Sequence, residues 1–235
     1  MHLSIIIPLY NEKDLVIHLL DQLISVKYPE FVQHFEIIII DDCSTDNSYQ
    51  LVKEYIAEKQ NFKLFKHTAN KGKGAAVRTG IGNAKGDVYL IQDADLELSP
   101  SDIPAMLITM EKMKVQFVNG SRYLPGVIRP LSSYKRYLAN KFFTFITSVL
   151  IDVKLTDMAC GYKLIHKDLY QQIILKENRF GFEAELILKA LKIKRNNIVE
   201  VPVHYFPRNK GEGKKLSVKD GLKILWVITK YGLFG

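Results

Sequence analysis

Cysteine is scarce. Two residues, Cys43 and Cys160, stand far apart in 235 and lack metal-ligand spacing, which excludes a disulfide framework and offers no zinc site. A reducing cytosol is the expected setting. Long hydrophobic runs are also missing: the longest uncharged apolar run, Phe142 to Ile151, is bounded by Lys141 and Asp152 and is about half of the ~20 residues that span a bilayer. No segment is expected to cross a membrane. The start, Leu3-Ser4-Ile5-Ile6-Ile7-Pro8, has neither a basic leader nor a small-residue cleavage site and reads as a strand, so the chain is expected to be cytoplasmic. Repeats and low-complexity segments are absent. Acidic charge is outweighed, with 33 Lys+Arg against 25 Asp+Glu and a net +8. That balance favours an anionic partner, whether nucleic acid, nucleotide phosphates or an acidic membrane surface, without choosing among them. With 47% hydrophobic and 25% charged residues the chain can bury a full core, which rules out a disordered or collagenous protein.

The first hundred residues alternate short β-branched runs with helical patterns. Leu3–Pro8, Glu36–Asp41, Phe62–Lys66 and Val88–Gln92 read as buried parallel strands. Glu12–Ser25, Ser48–Lys59 and Gly74–Ala84 read as helices, the second preceded by the capping residues Ser44, Asp46 and Asn47. This is βαβ grammar and implies an α/β fold with a mostly parallel sheet. Farther on, Phe117–Gly120 and Ile198–His204 resemble strands, and Tyr134–Leu155 and Glu183–Leu191 helices. No linker divides the chain, so residues 1–235 are expected to form one domain.

Ligands of such sheets bind at the carboxyl ends of strands, and the polar clusters lie there: Tyr10-Asn11-Glu12, Asp41-Asp42 and Asp93-Ala94-Asp95 each follow a strand. Adjacent carboxylates repel unless a cation neutralises them, and hard oxygen ligands at a strand end suit Mg²⁺ or Mn²⁺ holding a diphosphate. The bland alternative is a solvated acidic turn. Asn70-Lys71-Gly72-Lys73-Gly74 is no Walker A loop. By itself it reads more readily as a tight turn into a closely packed helix than as a phosphate cradle. The six histidines show no paired or HExxH spacing.

Taken in order, Pro8-Leu9-Tyr10-Asn11-Glu12, Asp41-Asp42-x-Ser44-x-Asp46, Asn70-x-Gly72-Lys73-Gly74 and Asp93-x-Asp95 resemble the nucleotide-sugar half of family 2 glycosyltransferases. The resemblance continues through Gly120-Ser121-Arg122, Asp157-x-x-Cys160-Gly161-Tyr162-Lys163, Phe180-x-Phe182-Glu183-x-Glu185, Glu200-Val201-Pro202-Val203 and Arg208-x-x-Gly211-Glu212-Gly213-Lys214-Lys215, the pattern of dolichyl- or polyprenyl-phosphate sugar synthases. It implies a GT-A fold, Rossmann-like, with a mixed, mostly parallel sheet flanked by helices. Residues 1–97 would serve mainly the nucleotide sugar, and 98–235 mainly the acceptor and membrane-interface helices. By the same resemblance Pro8, Tyr10, Glu12, Asp42, Lys73 and Asp93 would hold the donor. Asp93, Asp95 and Glu97 would surround Mg²⁺ or Mn²⁺, Glu97 standing where family members often have Gln. Arg122, Arg136, Arg208 and Lys214 would gather the acceptor phosphate, with Asp95, Arg122 and Arg208 as the catalytic set. Inversion at the sugar's anomeric carbon is likewise implied by the resemblance.

A lipid acceptor also has support in the residues themselves. If Tyr134–Leu150 is helical, Arg136, Asn140, Thr144 and Thr147/Ser148 form a narrow polar stripe, and Phe142, Phe143, Phe145, Ile146, Val149 and Leu150 cover most of the circumference. With Lys135-Arg136 ahead of it, such a helix suits the headgroup region, as does Leu222–Phe234 with Trp226, Tyr231 and Phe234 between lysines. Peripheral membrane contact is therefore expected. The alternative is that both helices are core or homodimer contacts, and the sequence leaves the oligomeric state open. Glu183 and Glu185 face the same way if extended, and are otherwise supporting charges at a helix start. A phosphate acceptor, with a second pKa near ~6, needs no strong base. Rival readings are a transferase acting on a soluble glycan or protein hydroxyl, with Glu183 or Glu185 as base, and a non-catalytic nucleotide-sugar-binding module. Nucleic acid is disfavoured because the basic residues are dispersed and no recognised motif places aromatics among them.

Overall fold

The computed structural model describes residues 1–127, 130, 133–194, 197–208 and 218–234, with the backbone alone at 218 and 219. Their chain order is β1 (His2–Leu9), α1 (Val16–Ser25), β2 (His34–Asp41), α2 (Ser48–Tyr55), β3 (Phe62–Lys66), α3 (Lys73–Gly82), β4 (Val88–Ile91), α4 (Ile103–Met113), β5 (Phe117–Ser121), α5 (Tyr134–Ile151), β6 (Lys163–His166), α6 (Lys167–Tyr170), α7 (Phe182–Lys194), β7 (Ile198–Pro202) and α8 (Val218–Leu233). Among the described residues these strands form one sheet in the order β3-β2-β1-β4-β6-β5-β7. β1 pairs in parallel with β2 and β4, β2 with β3, and β5 with β7; β6 runs antiparallel between β4 and β5. The carboxyl ends of all the other strands therefore meet on one rim, joined there by the amino end of β6.

Side-chain alternation on the central strands sorts the core into two layers. Leu3, Ile5, Ile7, Ile37 and Ile39 face a cluster completed by α1 and α4. Ile6, Ile38 and Ile40 face the other cluster, built with α3, α5, α7 and α8. Both faces of the sheet are covered, which is why its strands read as near-continuous apolar runs. The strand positions expected from sequence hold to within a residue or two, whereas four helices are shorter at one end, α3 stopping at Gly82. Glu12–Leu15 is a turn ahead of α1, α2 ends at Tyr55, and α5 ends at Ile151 with Asp152 in the left-handed conformation (φ 55°). β6 was not anticipated. Four residues without flanking turn signals carry little periodicity, and its place depends on pairing with two strands remote in sequence.

α3 lies close against the sheet because its own sequence is small. A Cβ on Gly80 would fall 2.4 Å from Ile6 Cγ2 and 3.4 Å from Ile40 Cγ1, both in the buried sheet face. Gly80→Ala is expected to destabilise the protein by about 1–3 kcal/mol through overpacking, and Gly80→Val by more, read as a lower urea midpoint at unchanged m-value.

Candidate active site

The rim holds a cleft of about 210 Å³ lined by Pro8, Tyr10, Glu12, Asp42, Lys73, Asp93 and Asp95 from the amino-terminal half, and by Arg179, Phe180 and Arg208 from the other. Its first wall is the turn after β1. Asn11 takes the left-handed conformation (φ 56°) and is held by the next strand's turn: its amide donates to Ser44 Oγ (3.1 Å), and its Oδ1 accepts from Thr45 N (2.8 Å). Glu12 N donates to Ser48 Oγ (2.9 Å) and Lys13 N to Asp46 Oδ2 (3.2 Å). Of the expected capping residues, Asn47 is the N-cap of α2 but makes no side-chain cap bond, while Ser44 and Asp46 fasten the turn that presents Tyr10 and Glu12.

Asp42 is buried, and its carboxylate is spent on the chain. Oδ1 accepts from Lys71 N (2.9 Å) and meets His67 Nδ1 (2.7 Å), while Oδ2 accepts from Gly72 N (2.7 Å). His67, also buried, reaches Thr79 Oγ1 with its other nitrogen (3.0 Å). Asp42 and His67 together set the 70–72 turn from which α3 starts. That start is closely packed: Ala75 N donates to Asn178 O (3.2 Å), and a Cβ on Gly72 (φ 98°) or Gly74 would strike the Glu177–Arg179 backbone or side chains. The segment is the packed turn that its composition suggested, and what it delivers to the cleft is the Lys73 side chain.

Lys73 Nζ lies 2.6 Å from Asp93 Oδ1 and 2.6 Å from Glu183 Oε1. Burial works against its charge, but the two carboxylates outweigh burial and hold its pKa above the usual lysine range. Arg208 clamps the other side. Its Nη1 and Nη2 donate to the two oxygens of Glu12 (2.8 and 2.9 Å), and Nη2 also reaches Asp95 Oδ2 (3.4 Å). Glu97 N donates back to Asp95 Oδ1 (3.1 Å) across Leu96, a branched residue in the left-handed region (φ 54°) held there by its neighbours' bonds. Burial, then the Asp93 and Glu97 charges, push the Asp95 carboxyl up to about 7. Burial also raises Glu12, although Arg208 pulls the other way.

The expected metal set is therefore only partly assembled. Among the described residues no group of three or more His, Cys, Asp or Glu is arranged to hold a metal ion. Glu97 is drawn off by Tyr205 Oη (3.2 Å) and Arg208 N (3.1 Å). Asp93 and Asp95 offer the hard carboxylate oxygens that a divalent cation takes, and burial, with the neighbouring Asp93 and Glu97 charges, raises the Asp95 carboxyl in its absence.

The basic residues expected at the acceptor phosphate are dispersed. Arg208 is in the cleft. Arg122, at the end of β5, forks onto buried Asp157 (Nε–Oδ2 2.7 Å, Nη2–Oδ1 2.9 Å), lies 5.1 Å from the Tyr205 ring, and does not line the cleft. Arg136 is exposed on the first turn of α5, and Lys214 lies outside the described residues. Glu183 and Glu185 do not face the same way, because both sit on the first turn of a helix. Glu183 bonds Lys73 at the cleft; Glu185 turns inward to accept from Lys176 N, Glu177 N (2.7 Å) and Lys189 Nζ (2.6 Å). Arg179 escaped sequence reasoning. Its position between Asn178 and Phe180 has no periodic signal, and it reaches the cleft because that segment packs on the start of α3.

A profile of glycosyl transferase family 2 matches residues 4–174. The chain belongs to glycosyl transferase family 2. This family 2 chain is 30% identical over 220 residues to a dolichol-phosphate mannosyltransferase of Pyrococcus furiosus, a match covering 91% of the chain and 59% of the relative. It is 26% identical over 242 residues to the dolichyl-phosphate beta-glucosyltransferase of Saccharomyces cerevisiae, covering 94% and 71%. The chain thus spans less than two thirds of the archaeal relative's length. Among solved structures, glucosyl-3-phosphoglycerate synthase from Mycobacterium tuberculosis, crystallised with Mn²⁺, UDP and glucosyl-3-phosphoglycerate, superposes with a TM-score of 0.73 at 15% identity over 97% of this chain and 79% of its own. S. aureus TarS 1-349 with UDP-GlcNAc gives 0.66 at 20% identity, covering 98% and 66%. At these identities the likeness is one of fold, and it is the GT-A architecture that the motifs implied.

The raised Asp95 carboxyl has a consequence for stability in the metal-free family 2 chain. An unfolded aspartate titrates near ~3.9, so the folded state holds this proton more tightly. Its contribution is complete below about pH 4 and is lost as pH rises through about 7. Asp95→Asn removes the charge, and is expected to melt at least about 2 °C above the wild type at pH 8, with the gap closing toward pH 4. Metal-free melts from pH 4 to 8.5 check this, and a gap independent of pH would remove Asp95 as its source.

Proposed function

We propose that this chain transfers a sugar from a nucleotide sugar of the UDP-glucose or GDP-mannose type to a polyprenyl or dolichyl phosphate, with inversion and with Mg²⁺ or Mn²⁺. The observation that carries this reading is the acidic cleft, with Lys73 and Arg208 inside it, on a molecule that turns an aromatic helix face to the outside. The P. furiosus and S. cerevisiae relatives both carry dolichol phosphate in their names, and the M. tuberculosis neighbour was crystallised with Mn²⁺ and UDP. In this reading Pro8, Tyr10 and Glu12 seat the nucleoside, and Asp42 acts through the 70–72 turn. Asp93 and Asp95 would hold the metal, which when bound supplies charge neutralisation for the departing diphosphate. Lys73 and Arg208 then have anionic phosphates to turn to, and bring two like-charged groups together. An acceptor phosphate oxygen attacks the anomeric carbon as the bond to the diphosphate breaks on the opposite side. Every carboxylate lining the cleft is already engaged by a cation or a backbone amide, and a phosphate acceptor needs no further base. Residues 1–97 supply most of the donor contacts and 98–235 the acceptor side.

The lipid part of the reading is supported by α5. Arg136, at the start of its polar stripe, is exposed, but the rest turns inward: Thr144 and Thr147 are buried, Thr144 Oγ1 accepting from Met158 N (3.2 Å) and Ser148 Oγ from Leu155 N (3.2 Å). Phe142, Phe145 and Val149 stand in solvent, Phe145 at 67% exposure, whereas Phe143, Ile146 and Leu150 of the same apolar set are partly buried against the core, as the alternative reading had it. α8 behaves alike, with Trp226 and Phe234 exposed; Tyr231, expected at the same surface, is buried instead. No described helix is long and apolar enough to cross a membrane. We place the chain peripherally, at the cytoplasmic face.

The deciding assay follows label from a panel of nucleotide sugars into organic-extractable product, with Mg²⁺ or Mn²⁺ and undecaprenyl or dolichyl phosphate. One donor is expected to label the lipid phase, and Asp95→Ala to lower that transfer about 100-fold or more with its fold intact. Label passing only to water or soluble glycans would replace the lipid acceptor with a soluble one. Phe145→Asp, on the exposed face, is expected to reduce sedimentation with phosphatidylglycerol vesicles severalfold without altering the melting temperature. Unchanged sedimentation would take α5 off the membrane.

A further inference from the structure

Behind the 70–72 turn lies a second hollow, of about 610 Å³, walled by Lys71, Arg78, Arg179 and Lys223 with Asn70 and Thr79 between them. Where the donor cleft gathers carboxylates, this hollow gathers cations, and it shares only Asn70 and Arg179 with the cleft. Its acidic neighbours are Glu177, 3.6 Å from Lys223 Nζ, and Asp42, whose carboxylate is taken up by the Lys71 and Gly72 amides and His67; among the described residues no carboxylate forms an ion pair with the Lys71, Arg78 or Arg179 side chain. Cations so placed repel one another, and an anion seated among them relieves that repulsion.

The scaffold beneath these cations is built rather than loose. The Arg78 guanidinium donates to Glu177 O (2.8 Å) and to the Asn178 side chain, which fixes its plane at the wall. The adjoining 177–179 segment is pinned to the start of α3 through Ala75 N and the close approach at Gly72 and Gly74, and to α7 through the Glu185 carboxylate on Glu177 N. On α8, Lys223 lies one turn before exposed Trp226, whose ring is covered by Lys230 Nζ at 4.5 Å. The hollow therefore opens beside a stripe of alternating lysine and indole, of the kind that sits at a headgroup boundary.

We propose that this hollow is a second binding site, separate from the donor cleft, for a phosphate-bearing ligand. Arg179 offers it a guanidinium fork, Lys71 and Lys223 point charges, and Asn70 and Thr79 neutral polar groups. The phosphate can belong to an anionic lipid headgroup or to a soluble phosphate compound. The assignment stands whether or not the transfer reaction is the one proposed above.

The test uses the full chain without divalent metal, a condition in which the carboxylates of the donor cleft repel anions. Equilibrium dialysis against labelled pyrophosphate is expected to show saturable binding that weakens at least tenfold in Lys71→Glu/Lys223→Glu and less in Lys71→Gln/Lys223→Gln. Both lysine side chains are exposed, and equal melting temperatures confirm that the variants fold. In parallel, wild type and variants are sedimented with vesicles of phosphatidylcholine alone or with 30% phosphatidylglycerol. Loss of phosphatidylglycerol-dependent sedimentation in the charge-reversed variant, with pyrophosphate competing in the wild type, identifies a lipid headgroup. Pyrophosphate binding that the variants weaken, with vesicle sedimentation unchanged, identifies a soluble phosphate ligand. No saturable pyrophosphate binding, or equal binding by wild type and charge-reversed variant, overturns the site.

Discussion

The balance of charge at the sheet's rim is the constraint on which the rest of the site depends. Parallel strands deliver their carboxyl ends to one place, and here those ends carry Glu12, Asp93 and Asp95 into a partly buried cleft. Two cations neutralise them, and neither comes from the strand ends that carry the acids. Lys73 arrives on α3 and Arg208 from the chain beyond β7, so the folding of distant segments completes the electrostatics of the first hundred residues. The arrangement remains acid-rich even so, since Asp95 sits near neutrality.

Beneath the rim a buried polar network stiffens the second half. Lys163, wholly enclosed, donates to Asn119 Oδ1 (2.6 Å) and to the Met158 and Cys160 carbonyls, and burial lowers its pKa. Asn119 donates to Glu200, and Glu200 accepts from Thr156 and Asp157, whose carboxylate holds Arg122. The 157–161 turn is drawn so close to the cleft that a Cβ on Gly161 would fall 2.3 Å from Asp93 Oδ2. One antiparallel strand, β6, carries Lys163 and places this network against the parallel half.

α5 shows how far a helix can depart from the usual rule. Its threonines and serine are turned inward, satisfied by backbone partners and by Met158 Sδ (3.2 Å from Thr147 Oγ1), while Phe142 and Phe145 stand outside. An apolar surface left in solvent at this scale marks a contact with something apolar. The lysines and arginine near its start, and the basic hollow beside α8, suit a surface that is apolar and anionic at once.

Much was legible from the residues alone. The β-branched runs and the acidic pairs after them predicted parallel strands, their common rim and the arrival of Asp93 and Asp95 there, because strand periodicity and strand-end polarity are local properties. The excess of aromatic residues on the helix from Tyr134 was equally visible. What only the tertiary structure decided are the pairings across the chain: Arg208 with Glu12, Lys73 with both Asp93 and Glu183, Asp42 with the 70–72 turn rather than open solvent, and Glu97 with Tyr205. Glu185, offered by sequence as a possible base, is a structural anchor, while Arg179, which sequence passed over, lines two cavities. A sequence specifies which groups are charged; their partners depend on loops that bring residues about a hundred or more positions apart within hydrogen-bond reach, and no local pattern records that distance.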